Sequence, residues 1–83
     1  MYTKELLEKY IDLGYTFKIH TASNYLWYVE ITKAIWLNGE FVVSDVYTSV
    51  ESPEDRYFKD KDEALQRTLT LLEQKKYTEI ERE

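Results

Sequence analysis

Residues 34–43 read Ala34-Ile35-Trp36-Leu37-Asn38-Gly39-Glu40-Phe41-Val42-Val43. Two apolar runs meet at Asn38-Gly39, the pair that best tolerates the positive φ needed at both centres of a type I′ hairpin turn. A two-residue loop sets Leu37 opposite Glu40, and the register then follows by counting. Trp36 pairs with Phe41, Ile35 with Val42, Ala34 with Val43, Ile31 with Val46, and Glu30 with Tyr47. Side chains alternate across a strand, so one face of the hairpin carries Val29, Ile31, Ile35, Val42 and Val46. The other carries Leu26, Tyr28, Trp36, Phe41, Val43 and Tyr47, interspersed with Glu30, Thr32, Glu40 and Asp45. Lys33 and Ser44 fall on the first face, which predicts a bulge or a sheet edge there.

Upstream, residues 15–20 alternate Tyr15, Phe17, Ile19 with Thr16, Lys18, His20, the period of a strand with one buried face. The polar run 21–24 turns this strand into a longer one over residues 25–37. Before it, Leu6, Leu7, Tyr10 and Ile11 make an apolar stripe on a helix over residues 3–13. Thr3 is placed to cap that helix, and Gly14 follows where a left-handed residue closes it.

Downstream, residues 49–58 form an acidic connection interrupted by Pro53, with Tyr57-Phe58 either a short fourth strand or an anchor for the loop. Asp60-Lys61-Asp62-Glu63 has the spacing of a capping box. Ala64, Leu65, Thr68, Leu69, Leu71 and Leu72 then line one side of a second helix running to about residue 76, where Lys75 and Lys76 complement its dipole. Residues 77–83 read as a helical extension or a frayed tail. The sequence therefore predicts an α+β fold in the order α-β-β-β-α. Its antiparallel sheet has three strands, or four if Tyr57-Phe58 joins it. Both helices pack on one face, and residues 1–76 form a single domain.

Composition limits the chemistry. Among 83 residues there is one histidine, no cysteine and two glycines, so neither a thiolate metal site nor a glycine-rich phosphate loop can be built, and no cofactor is expected. His20 is the only candidate general base at neutral pH; without an acidic or nucleophilic partner nearby in sequence, it reads as a surface histidine. The carboxylate pairs Glu54-Asp55 and Asp60/Asp62 lack the glycine and terminal glutamate of an EF-hand loop. The expectation is a binding protein and not an enzyme. With no bilayer-length apolar run and no signal-peptide pattern, it is expected in the cytoplasm, off the membrane.

Charge is unevenly distributed. Residues 38–63 hold eight acids against three bases, while the rest of the chain balances at eight and eight, so the whole net charge of −5 sits in this stretch. Direct nucleic-acid binding needs clustered cations, which are absent, and Glu30, Glu40 and Asp45 among the rings would repel phosphate. A basic protein surface is the partner that this charge favours.

A first helix with Leu6 and Leu7 leads into Gly14-Tyr15-Thr16-Phe17-Lys18-Ile19. A meander with Asn38-Gly39, an acidic loop and a leucine-rich helix follow. This order resembles the small phage-encoded anti-CRISPR proteins that mimic duplex DNA in the groove of a CRISPR effector nuclease. The resemblance implies inhibition by occlusion in the host cytoplasm, with Glu40, Asp45, Glu51, Glu54, Asp55, Asp60 and Asp62 as phosphate mimics. Tyr28, Trp36, Phe41 and Tyr47 would add packed contact area. On that reading, changing Glu54, Asp55 and Asp60 to lysine abolishes binding and leaves the fold intact. The alternative is a homodimeric structural or regulatory module in which the aromatic sheet face meets its own copy across a two-fold axis.

Overall fold

The computed structural model describes residues 3–82. Helix α1 (Thr3–Asp12) leads to strands β1 (Tyr15–Thr21), β2 (Trp27–Leu37) and β3 (Glu40–Thr48), then helix α2 (Lys61–Glu73) and strand β4 (Tyr77–Glu81). Short 3-10 turns at Ser23–Tyr25 and Pro53–Arg56 interrupt the two longest connections. The four strands form one antiparallel sheet in the order β1-β2-β3-β4.

The hairpin register matches the count from Asn38-Gly39, from Leu37 opposite Glu40 through Ile31 opposite Val46. Both turn residues have positive φ, 53° at Asn38 and 81° at Gly39, as a type I′ turn requires. Gly14 also holds a positive φ of 98°, and a Cβ there would lie 2.5 Å from the Ala34 carbonyl oxygen. The position needs glycine for two reasons, left-handed backbone and close approach. Its own carbonyl accepts from the Ala34 amide at 2.9 Å, starting the β1–β2 ladder.

Both helices lie on one face of the sheet. Leu6 and Tyr10 from α1 and Leu69 and Leu72 from α2 enclose Tyr15, Ile31 and Val46, with Leu7, Phe17, Val29, Leu65 and Tyr77 around them. Leu69 and Leu72 are fully buried, so truncating either to alanine costs about 2 to 5 kcal/mol. Asp60 caps α2 by accepting from the Asp62 amide at 2.9 Å. A complete capping box forms at Ser52 and Asp55, on the 3-10 turn.

Three expectations are revised. The segment expected as helix or frayed tail is a strand: α2 ends at Glu73, Lys75 takes a φ of 60°, and residues 77–81 pair with β3 from Thr48 to Ser44. The element order is therefore α-β-β-β-α-β. Tyr57-Phe58 is not the fourth strand; Phe58 makes a single bridge to Trp27, filling the slot beside β2 beyond the end of β3. No bulge occurs at Lys33 and Ser44, which pair directly. Lys33 is accommodated because β4 brings Glu79 to within 3.3 Å of its ammonium.

Candidate functional site

Among the described residues, no helix lies on the opposite face of the sheet. Alternation places Lys18 and His20 of β1, Tyr28, Glu30, Ala34 and Trp36 of β2, and Phe41, Val43, Asp45 and Tyr47 of β3 on it. Strand β4 extends it with Thr78 and Ile80. Trp36 is 73% exposed and Phe41 58%, their rings tilted together with centroids 5.3 Å apart at the hairpin end. Tyr47 and Ile80 are also exposed, further along β3 and β4 away from the hairpin turn. At the other end Tyr28 is half-buried, stacked on His20 (5.0 Å) and edge-on to Tyr57 (5.7 Å). The acidic loop thus shields Tyr28 alone of the four aromatic site candidates.

Apart from Lys18, the charged groups on this face are engaged with one another. Arg82 donates from Nε to both carboxylate oxygens of Asp45 at 3.0 Å, and this guanidinium holds the Asp45 carboxyl below its usual range. The His20 Nε2 lies 2.9 Å from Glu30 Oε1. That contact supplies the acidic partner that sequence proximity did not offer, because antiparallel pairing sets Glu30 diagonally across from His20. The imidazole is held flat against Tyr28 on an open surface with free access to water, an arrangement that orients the ring but encloses no substrate. Among the described residues, no three His, Asp or Glu side chains converge as metal ligands. Among the described residues, no helix is long and apolar enough to cross a membrane.

The acidic candidates do not form one array. Glu40 stands at the hairpin tip, opposite Leu37, and so alternates onto the helix side and away from the rings. Glu51, Glu54 and Asp55 lie beyond the far end of β3, roughly 27 Å from Glu40 along a nine-residue strand at about 3.4 Å per residue. They line an open groove with Glu63, Arg67 and Lys76, so cations are interleaved with the acids. Asp55 and Asp60 hold turn and helix amides, and Asp62 sits in the first turn of α2. Arg56, within the acidic stretch, donates to the Thr48 carbonyl at 2.7 and 3.2 Å and fixes the loop to the end of β3.

Comparison of the chain with protein-family models, curated proteins and solved structures finds no match. The site therefore rests on its own geometry.

Two contributors to the open face, Ile80 and Arg82, lay in the segment read as helix or tail. The local signal is weak: the apolar residues Tyr77 and Ile80 fall three apart and on opposite faces of the strand, so alternation does not mark it. Its interpretation depended on a free edge of β3 being available, which no local pattern reveals.

Proposed function

We propose that this chain is a small interaction module that self-associates through the open face of its sheet. The observation that carries this reading is the combination of exposed rings and charge balance on that face. Trp36, Phe41, Tyr47 and Ile80 stand uncovered, while Lys18 and Arg82 offset Glu30 and Asp45. A chain with a net charge of −5 meets its own copy at least cost across a surface of no net charge, with the excess acids left outside. Four strands about 4.8 Å apart and central strands about 30 Å long give a face on the order of 600 Å² in projection. Its accessible area is larger, comparable with the roughly 800 Å² per partner of a standard interface. Trp36 and Phe41 are the residue types that anchor such contacts.

The test is sedimentation of the wild-type chain and of Trp36→Glu at micromolar concentration. A dimeric wild type and a monomeric variant with unchanged circular dichroism are expected. A monomeric wild type sinks the reading.

A second reading is favoured by the acid excess at the loop end, where Glu51, Glu54, Asp55 and Glu63 line one groove. Here the chain occludes the basic surface of a nucleic-acid-binding protein, the target class being a bacterial defence effector. Glu51→Lys with Glu54→Lys should then abolish salt-sensitive capture of such a protein from bacterial lysate. Capture that survives both the variant and high salt excludes it.

A further inference from the structure

The sheet has a second surface prepared for a partner, at the outer edge of β1. The Gly14 carbonyl accepts from the Ala34 amide at 2.9 Å, and the Ala22 amide donates to the Leu26 carbonyl at 2.7 Å. Bonded and non-bonded pairs alternate in an antiparallel ladder. The β1–β2 bonds therefore belong to Thr16, Lys18 and His20, and the N–H and C=O groups of Tyr15, Phe17, Ile19 and Thr21 point away from β2. Strand β1 is the edge of the sheet, and among the described residues no backbone bond engages these outward groups.

Beside this free edge runs an open apolar groove of about 310 Å³ lined by Leu7, Ile11, Phe17, Ile19 and Leu65. Thr16, whose side chain alternates to the other face, also lines it. Ile11 and Ile19 are exposed there. The residues that offer free backbone groups, Phe17 and Ile19, are the same ones that floor the groove.

We infer that the outer edge of β1 binds an extended segment of a partner protein, added as an antiparallel strand with the pattern apolar–acidic–apolar. Residues directly opposite one another in an antiparallel pair point to the same face. Residues set against Phe17 and Ile19 therefore enter the groove, and the one between them faces Lys18 on the open side. Lys18 is exposed, and among the described residues it makes no ion pair; Glu30 is committed to His20. An acid opposite Lys18 is the complementary choice. The inner side of β1 already displays this preference, since Ile31, Glu30 and Val29 pair with Phe17, Lys18 and Ile19. A second copy of β1 fits less well in the register that sets Phe17 against Ile19, which also sets Lys18 against Lys18. The opposite edge is protected by contrast, with Glu79, Glu81 and Arg82 along β4.

The probe is a capped peptide with the sequence of residues 27–33, titrated into the full-length chain while backbone amide resonances are followed. Saturable shifts and slowed exchange at the Phe17 and Ile19 amides are expected. Replacing the peptide's glutamate with lysine should weaken binding roughly fivefold or more, because like charges then face each other across the pair. N-methylating its isoleucine amide should abolish binding by removing a ladder donor. The proposal is overturned if these amides do not respond, or if either altered peptide binds as well as the original. It is equally overturned if Phe17 and Ile19 are already protected in a peptide-free dimer, which would make a second copy the occupant.

Discussion

Tyr15 and Glu79 stand on the two opposite edge strands, and the Tyr15 hydroxyl donates to Glu79 Oε1 at 3.1 Å. The edges of a four-stranded sheet lie about 14 Å apart, so both side chains reach across the intervening strands on the helix-bearing face. Lys33 completes the bridge, its ammonium 5.2 Å from the centre of the Tyr15 ring and 3.3 Å from Glu79. This polar strap runs across the helix-bearing face. It also ties the C-terminal strand to the N-terminal half of the chain.

Removing the strap's hydrogen bond should loosen β4 first. Tyr15→Phe keeps the buried ring and leaves Glu79 paired with Lys33. A loss of about 1 to 2 kcal/mol is expected in urea denaturation, low in the range for bonds to charged groups because Glu79 is partly exposed. Hydrogen exchange should speed up at the Thr78 and Ile80 amides more than at those of β2. Uniform acceleration across the sheet would refute the strap.

The two glycines should differ in their tolerance of alanine. At Gly39 an added methyl meets nothing within 4 Å, so only the left-handed backbone is strained, about 1 to 2 kcal/mol. At Gly14 the same strain is joined by a clash with the Ala34 carbonyl, so Gly14→Ala should be clearly the more destabilising in parallel denaturant titrations. Equal costs would mean that the α1–β1 turn can move away.

The acids of the loop end divide by role. Asp60→Ala removes the cap of α2 and should cost about 1 kcal/mol, and Asp55→Ala should lower stability in the same direction. Glu51→Lys and Glu54→Lys should stay within about 0.5 kcal/mol of wild type, being exposed and outside the caps. A charge reversal that includes Asp55 and Asp60 therefore confounds binding with folding. Thermal melts of the four single variants check the division.

Stability should fall on the alkaline side. Burial, then the neighbouring Glu73 carboxylate, pushes the Tyr10 phenol up to about 12, and burial, with Tyr77 and Glu79 beside it, raises Tyr15 as well. An unfolded tyrosine ionises near pH 10. Between these values the folded chain holds more protons than the unfolded one, so stability is complete below pH 10 and declines as pH rises toward 12. Tyr10→Phe should flatten this decline in melting temperature against pH. An unchanged slope would show that Tyr10 does not contribute to it.

Local patterns were enough for much of the fold. Asn38-Gly39 set the hairpin register because a two-residue turn leaves no freedom in the count. Gly14 marked the end of α1 because only a residue tolerant of positive φ can close the helix so tightly against β2. The aromatic character of one sheet face was equally legible, since alternation assigns Trp36, Phe41 and Tyr47 to the same side wherever the strands lie in space. By the same alternation Glu40, opposite Leu37, belongs to the helix side and not among the rings.

What could not be read locally were the relationships that join distant parts of the chain. Whether residues 77–81 became strand or helix depended on the unpaired edge of β3, some thirty residues earlier, and a five-residue segment has too little propensity to decide alone. That choice gave Lys33 its partner, removed the need for a bulge, and left the aromatic face uncovered by the described residues. It also set Arg82 against Asp45 and thereby balanced the face's charge. Sequence order placed the acids in one stretch, but a rigid strand separated Glu40 from the loop acids. Periodicity is a property of neighbours along the chain, whereas edges, straps and patches arise only when strands far apart in sequence share hydrogen bonds.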